Sequence, residues 1–304
     1  MTETGDAFNP PVGVAEDLGG GIRRILAPNP TPMTFRGTNT YLLGAREVAV
    51  IDPGPDSRAH RDAILGALSP GQQITRILVT HSHVDHSPLA GPLARETGAE
   101  VLGFGPTGSG RSAVMARLAS EGLEEAGEGL DPGFAPDSTL SDGEVVEGED
   151  WAITALWTPG HLGNHMCFAV GDAVFTGDLV MGWASSLVSP PDGDLGDFMA
   201  SCRRLRGRGA RVFHSGHGAP INAPGARLDW LIAHREGREA AIVAALEAGT
   251  ADAATLTRAI YTDIPAHMRP AATRNVLAHL IDLTMKNRVE PLGALSQHAR
   301  FRLI

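Results

Sequence analysis

"ITRILVTHSHVDH" (residues 74–86) is the stretch whose reading decides the fold. Its first half is a near-continuous apolar run with β-branched residues, the pattern of a buried strand. Its second half sets three histidines and an aspartate within six positions. Imidazoles and carboxylates are costly to bury unless paired or metal-bound. A strand that delivers such a cluster at its end therefore points to a functional site. His81 and His83 are alternate residues, so extended backbone turns both toward one side. Asp85 and His86 follow where the chain must bend, and can aim at an adjacent point. One metal would take the first pair and a second metal the other. Zinc prefers about four ligands, counting solvent, so each needs donors from elsewhere.

Outward from this cluster the chain alternates between strand and helix patterns. Upstream, "TYLLGAREVAVIDPGPD" (40–56) reads as two short strands around a Gly turn, closing on Asp52-Pro53-Gly54, and "SRAHRDAILGAL" (57–68) has helical spacing. Downstream, "PLAGPLARETG" (88–98) is helix-like with Gly98 as its stop, and "AEVLGF" (99–104) is a strand. This rhythm indicates α/β layering. Residues 105–137 are rich in Gly without a clear period and are expected to form an irregular insertion near a mouth or surface. The "GPTGSGR" inside it lacks the Gly-Lys-Ser/Thr ending of a phosphate loop, so nucleotide binding is set aside.

A second block of strands follows in "TLSDGEVVEG" (139–148), "WAITALWTPGH" (151–161), "HMCFAVG" (165–171) and "AVFTGD" (173–178). "DLGDFMASCRRLRG" (194–207) is then a helix and "ARVFHSGHG" (210–218) a strand running into a turn, which completes two α/β halves. Three of these strand ends carry one donor each beside a glycine: His161 in "TPGH", Asp178 in "FTGD" and His217 in "SGHG". Glycine permits the sharp turn and leaves room for a metal or substrate. Alone, each is an ordinary turn residue; together they make a metal site the better reading.

Beyond "GHGAPINAPG" the pattern turns helical. "ARLDWLIAHREGREAAIVAALEAG" (226–249), "DAATLTRAIY" (252–261) and "RPAATRNVLAHLIDLTMKNRVEPL" (269–292) read as helices, with the tail 295–304 as a strand or wing. The expected division is a catalytic domain over 1–235 and a small winged-helix-like domain over 236–304. A length of 304 residues suits one large core and one small one.

Composition narrows the function classes. The chain has no window of about 18 apolar residues, so no transmembrane helix is expected. Its opening residues have neither a basic n-region nor an apolar h-region, and Cys167 and Cys202 are too few for a disulfide framework. A reducing, cytoplasmic setting is the expectation, with each cysteine a small buried apolar residue. The net charge of −10 disfavours nonspecific binding to nucleic acid phosphates. From residue 235 onward nine Lys and Arg face seven Asp and Glu, against 16 and 28 before it, so the acidity lies in the larger part.

"HSHVDH" followed by "TPGH", "GD" and "GHG" resembles the metallo-β-lactamase superfamily over roughly residues 20–235. The resemblance implies a four-layer αββα sandwich. Residue by residue, it implies His81, His83 and His161 on one metal, Asp85, His86 and His217 on the other, and Asp178 bridging the two. Two divalent cations sharing a water lower its pKa from about 15.7 toward 7, and the metals also polarise the oxygen of the group under attack. Asp85 is the candidate catalytic residue, orienting the nucleophile and moving a proton.

Within the superfamily, secreted lactamases of the commonest zinc type use cysteine where Asp178 stands. A nuclease cap does not fit, since only 38 residues separate Asp178 from His217. The plain glyoxalase II pattern fits the ligands, but its substrate-binding helices find no obvious match in the tail. "GDLVMG", "DFMASCRRL" and "GHGAPI…LIAHREGRE" with a winged-helix-like tail are similar to the branch named for β-lactamase-like protein 2, although Ser87-Pro88 replaces the small or Gly residues usual there. That branch implies a dinuclear-zinc hydrolase (Fe or Mn being the alternative metals) acting on a thioester or other activated acyl bond. The alternatives are a single-strand-specific endoribonuclease on the same site, an iron-dependent enzyme resembling persulfide dioxygenases, and a non-enzymatic regulator. The expected partner is a small acyl substrate, then single-stranded RNA; no membrane is expected, and a homodimer is the candidate assembly.

Several residues stay between a functional and a packing role. His165 resembles a position beside the site, and His214 is read as a turn residue. Trp183 and Phe198 are candidates for pocket lining or core. Arg258, Arg269, Arg274 and Arg288 are a solvated face or a surface for a polyanion.

Overall fold

The computed structural model describes residues 8–123 and 129–304. Seven strands form the first sheet in chain order: β1 (Ala15–Gly19), β2 (Ile22–Leu26), β3 (Asn39–Leu43), β4 (Glu47–Ile51), β5 (Gln73–Leu78), β6 (Glu100–Gly103) and β7 (Ser138–Thr139). Strands β1 to β4 pair antiparallel, and β4 to β7 pair parallel. Parallel neighbours need crossovers. Helix α1 (Arg58–Gly66), capped by the Ser57 hydroxyl, supplies one, and α2 (Ala90–Thr97), closed by left-handed Gly98, supplies the next. The second sheet has the order β12-β11-β10-β9-β8, built from β8 (Val145–Glu147), β9 (Ala152–Trp157), β10 (Met166–Val170), β11 (Ala173–Gly177) and β12 (Val212–Ser215). Only β11 and β12 are parallel in it.

The two sheets face each other across a core that includes Tyr41, Ile51, Leu78, Ile153, Phe168 and Phe175. The outer face of the first sheet packs on α1 and α2 through Ile64 and Leu93. The outer face of the second packs on α4 (Leu195–Arg208) and α5 (Pro224–Glu247) through Phe198, Cys202, Leu228 and Leu231. These are the four expected αββα layers. The alternation of apolar residues along β3 and β4 sends Tyr41 and Ile51 inward and Leu42 and Val50 outward, so both faces of the sheet are covered.

Three helices and a small sheet make the C-terminal part: the end of α5, then α6 (Ala253–Ile260) and α7 (Arg269–Met285), with the sheet β13-β15-β14 of Ala251–Asp252, Arg300–Leu303 and Val289–Pro291. The tail is thus a wing strand. Helix α5 runs through both cores: Leu228 and Leu231 sit in one, Ile242 and Leu246 in the other. Residues 105–137 hold one helix that the lack of period hid, α3 (Ala113–Ser120), capped by Ser112. Eight residues give only two buried positions, Met115 and Leu118, too few for a visible repeat, and these pack in the C-terminal core. Positions 124–128 of this insertion lie outside the described residues. The β1–β2 hairpin also escaped the sequence patterns. Among the described residues, no helix is long and apolar enough to cross a membrane.

Candidate metal centre

The ends of five strands meet at one edge of the sandwich. Strand β4 leads into Asp52, β5 into His81, β9 into His161, β11 into Asp178 and β12 into His217. Strands β4 and β5 are parallel, as are β11 and β12, and β9 is antiparallel to β10, itself antiparallel to β11. Their carboxyl ends therefore open to the same side, and residues far apart in sequence share one pocket. Isolated bridges from Thr38 to His217 and from His83 to Leu130 draw two loops over it.

Four of the five clustered histidines are pinned from behind. The Thr80 hydroxyl donates to Asp52 Oδ2 at 2.8 Å, so its oxygen is left to accept from His81 Nδ1 at 2.9 Å. His86 Nδ1 donates to Asp52 Oδ2 at 2.9 Å, His161 Nδ1 to the Leu187 carbonyl at 2.7 Å and His217 Nδ1 to the Gly37 carbonyl at 3.1 Å. With Nδ1 committed, each ring turns Nε2 to the centre, the arrangement that outer partners impose on metal-binding histidines. His83 turns Nδ1 inward, 2.9 Å from His81 Nε2 and 3.1 Å from His161 Nε2.

The donors fall into two groups, His81, His83 and His161 in one and Asp85, His86, Asp178 and His217 in the other, each with its ligand atoms within 4.8 Å of one another. Asp85 Oδ2 lies 3.1 Å from His217 Nε2 and 3.4 Å from His86 Nε2. Asp178 stands between the groups, with Oδ2 3.3 Å from His217 Nε2 and 4.0 Å from His161 Nε2. Its Oδ1 and His86 Nε2 are buried without a hydrogen-bond partner. The turns are shaped to this density: a Cβ on Gly216 would lie 2.4 Å from Asp178 Oδ1, and one on Gly177 would lie 2.7 Å from His165 Nε2.

The electrostatics favour a cation. Burial, then the neighbouring rings, holds His81 well below the ordinary imidazole range; burial likewise lowers His161 and takes His83 to about 3. These rings present neutral lone pairs to one another. In the second group burial opposes charge, but the carboxylates outweigh it, raising His86 and taking His217 to about 10. Asp85 and Asp178 are in turn held well below their usual range, against burial, chiefly by His86 and His217. Lone pairs facing lone pairs and two carboxylates facing protonatable rings fit divalent metal ions, which compete with protons for the same atoms.

A sequence profile described as the Metallo-beta-lactamase superfamily matches residues 33–217. The chain belongs to the metallo-β-lactamase superfamily. A second profile, the Beta-lactamase associated winged helix domain, matches 253–295. The superfamily relatives include an Atrochrysone carboxyl ACP thioesterase of Aspergillus fumigatus, 30% identical over 285 residues, covering 87% of this chain and 80% of that protein. The Lactamase-like protein nscB of Trichophyton rubrum is 33% identical over 74% of this chain and 63% of its own length. Among solved structures, a metallo-beta-lactamase family protein from Thermus thermophilus shares 29% identity at TM-score 0.75, over 95% of this chain and 100% of that one. A Beta-lactamase domain protein from Burkholderia ambifaria shares the fold at TM-score 0.79 and 21% identity, covering 97% and 95%. As a metallo-β-lactamase superfamily member with this donor set, the chain is a metal-dependent hydrolase.

All seven sequence-derived donors come together in this superfamily member. Asp52, Thr80 and Thr38 join the site without a donor motif of their own in the sequence. The signal for Asp52 was the Asp-Pro-Gly closing an apolar strand. At φ 51° its backbone is left-handed, a conformation Asp tolerates better than most residues, and its carboxylate also accepts from the Thr80 amide at 2.7 Å. His165 lies beside the centre, its ring 5.2 Å from His81 and Nδ1 3.1 Å from the Thr158 hydroxyl. His214 is a strand residue of β12, not a turn residue, packed on Tyr41 and Phe175. Phe198 is core and Trp183 lines a cavity. Arg258, Arg269 and Arg288 are exposed, whereas Arg274 is buried with Nε donating to the Ser189 hydroxyl at 3.0 Å. The burial of Arg274 removes it from any polyanion-binding face. Both cysteines are buried and unbonded to each other, and burial pushes each thiol to about 12.

Proposed function

We propose that the protein is a dinuclear zinc hydrolase that cleaves a thioester into a carboxylic acid and a thiol. The observation that carries this reading is the pair of donor groups, four and three ligand atoms strong, at one sandwich edge. We assign His81, His83 and His161 to one metal, Asp85, His86 and His217 to the other, and Asp178 to both. When bound, the metals supply Lewis acidity and an activated water. Asp52 orients His86 directly and His81 through Thr80. Asp85 is the least buried of the seven, with its side chain 20% exposed, and the Thr38 hydroxyl donates to its Oδ2 at 3.5 Å. This exposure supports a role for Asp85 in aligning the attacking water and passing its proton outward to the departing thiolate. The larger part, residues 1–235, would carry the chemistry, and residues 236–304 would shape the cleft beside it.

The choice of a thioester is supported by the name of the Aspergillus relative. Single-stranded RNA fits less well with a net charge of −10. A one-iron redox site would leave the second, four-donor group without a role. Release of free thiol from a panel of acyl thioesters, followed with a thiol-reactive dye, tests the reading. Turnover by the wild type and its loss in Asp85→Ala are expected. Cleavage of single-stranded RNA without any thioester turnover would contradict it.

A further inference from the structure

Beside the metal centre lies a cleft of about 210 Å³ between the sandwich and the C-terminal helices, walled by Met33, Met181, Leu187, Ile264 and Met268. Two of its lining groups, Arg235 and Trp183, each hold a buried N–H donor without a partner: Arg235 Nε and Trp183 Nε1. Arg235 is only 2% exposed. Its remaining nitrogens donate to neutral oxygens, NH1 to Asn275 Oδ1 at 2.9 Å and NH2 to the Ser186 carbonyl, and its guanidinium lies 5.1 Å from the Phe198 ring. Among the described residues no carboxylate pairs with it. A buried, unneutralised guanidinium is expensive to maintain. Guanidinium and indole N–H groups only donate, so what the cleft lacks is an acceptor, and at Arg235 an anionic one.

Two residues of the cleft wall also touch the surroundings of the metal centre. Leu187 lines it, and the Leu187 carbonyl fixes His161. Trp183 packs on Gly218, directly after His217: a Cβ at Gly218 would lie 2.8 Å from Trp183 Cδ1. Its volume is below the ~300–1,000 Å³ of sites for drug-sized ligands. A short acyl chain or a single ring suits it better than a long fatty chain.

We propose that this cleft receives the acyl part of the substrate, and that Arg235, with Trp183, binds a carboxylate or other anionic oxygen at the end of that acyl group remote from the scissile bond. The inference rests on the thioester reading and sharpens it: the preferred substrates are thioesters of short, partly apolar acids bearing a second acidic oxygen.

Calorimetric titration of the metal-loaded, full-length protein with dicarboxylates of four to eight carbons, against monocarboxylates of equal length, tests it. One dicarboxylate should bind about 10–100-fold tighter than its partner, the range expected of a charge-assisted contact. Arg235→Met should reduce that gap to less than about threefold, and Trp183→Phe, which keeps an aromatic ring but removes the N–H, should narrow it. Ala271→Leu, on the cleft wall and distant in sequence from Arg235, should weaken both acids and raise KM for thioesters. The inference is overturned if di- and monocarboxylates bind alike in the wild type, if Arg235→Met keeps the gap, or if Ala271→Leu binds as the wild type does. If Arg235→Met does not fold, the other two variants and the wild-type comparison still decide. Arg235-dependent binding of a dicarboxylate without hydrolysis of any thioester would instead sink the thioester reading and leave the anion site standing.

Discussion

His81, His83, His86, His161 and His217 are buried much as His279 is, yet the two regions hold imidazole for opposite reasons. In α7, His279 sits deep in the helical part with neither ring nitrogen partnered, and burial takes it to about 3. It is a neutral ring amid helix packing. At the strand ends, four rings are gripped at the back by Asp52, Thr80 or main-chain oxygens, and the free nitrogens converge on one another and on two carboxylates. Burial alone therefore says little about function. What separates the regions is whether the polar atoms are held from outside and aimed inward.

Substitutions should separate the two regions. Asp178→Ala, which removes the donor shared by both groups, should lower activity beyond the ~10–100-fold typical of an outer partner and reduce bound metal. Leu280→Ala, fully buried in the helical core, should cost about 2–5 kcal/mol in denaturant unfolding while metal per folded chain stays unchanged. Should the two variants show the same phenotype, the contrast between the regions fails. Asp52→Asn keeps the shape but weakens the grip on His86 and Thr80, and should cost about 10–100-fold in metal affinity or activity, measured by chelator competition and by turnover.

The smallest effect is one of pH. The folded state holds His279 neutral down to about 3, whereas the unfolded chain takes up its proton near 6.5. Between these values the unfolded state binds more protons, so this contribution is intact above about 6.5 and is lost as pH falls, by about 2 kcal/mol at pH 5. His279→Leu should flatten that part of the acid-unfolding curve; an unchanged slope would show that His279 is solvated or partnered.

Much of this was legible beforehand, and for physical reasons. "ITRILVT" is apolar or β-branched at every position but Arg76, and its buried Ile74, Ile77, Leu78 and Val79 pack on the two faces of the sheet, so a strand covered in that way declares itself. The donors are legible because His81, His83, Asp85 and His86 crowd the end of one such strand, while His161, Asp178 and His217 each follow a strand at a glycine turn. Asp52 reads from sequence as a turn residue: its partner Thr80 is 28 positions away, and only the parallel pairing of β4 with β5 brings them together. Helix α3 was too short to show a period. Arg235 lay in plain view within "LIAHREGRE", but a helical arginine reads as solvated until packing shows it enclosed.

Metal content of the purified chain, by mass spectrometry against protein concentration, bears most directly on the central claim. About two divalent ions per chain are expected, both removed by chelator together with activity and both restored with it. A single ion per chain, or full turnover after complete metal removal, would contradict the dinuclear assignment.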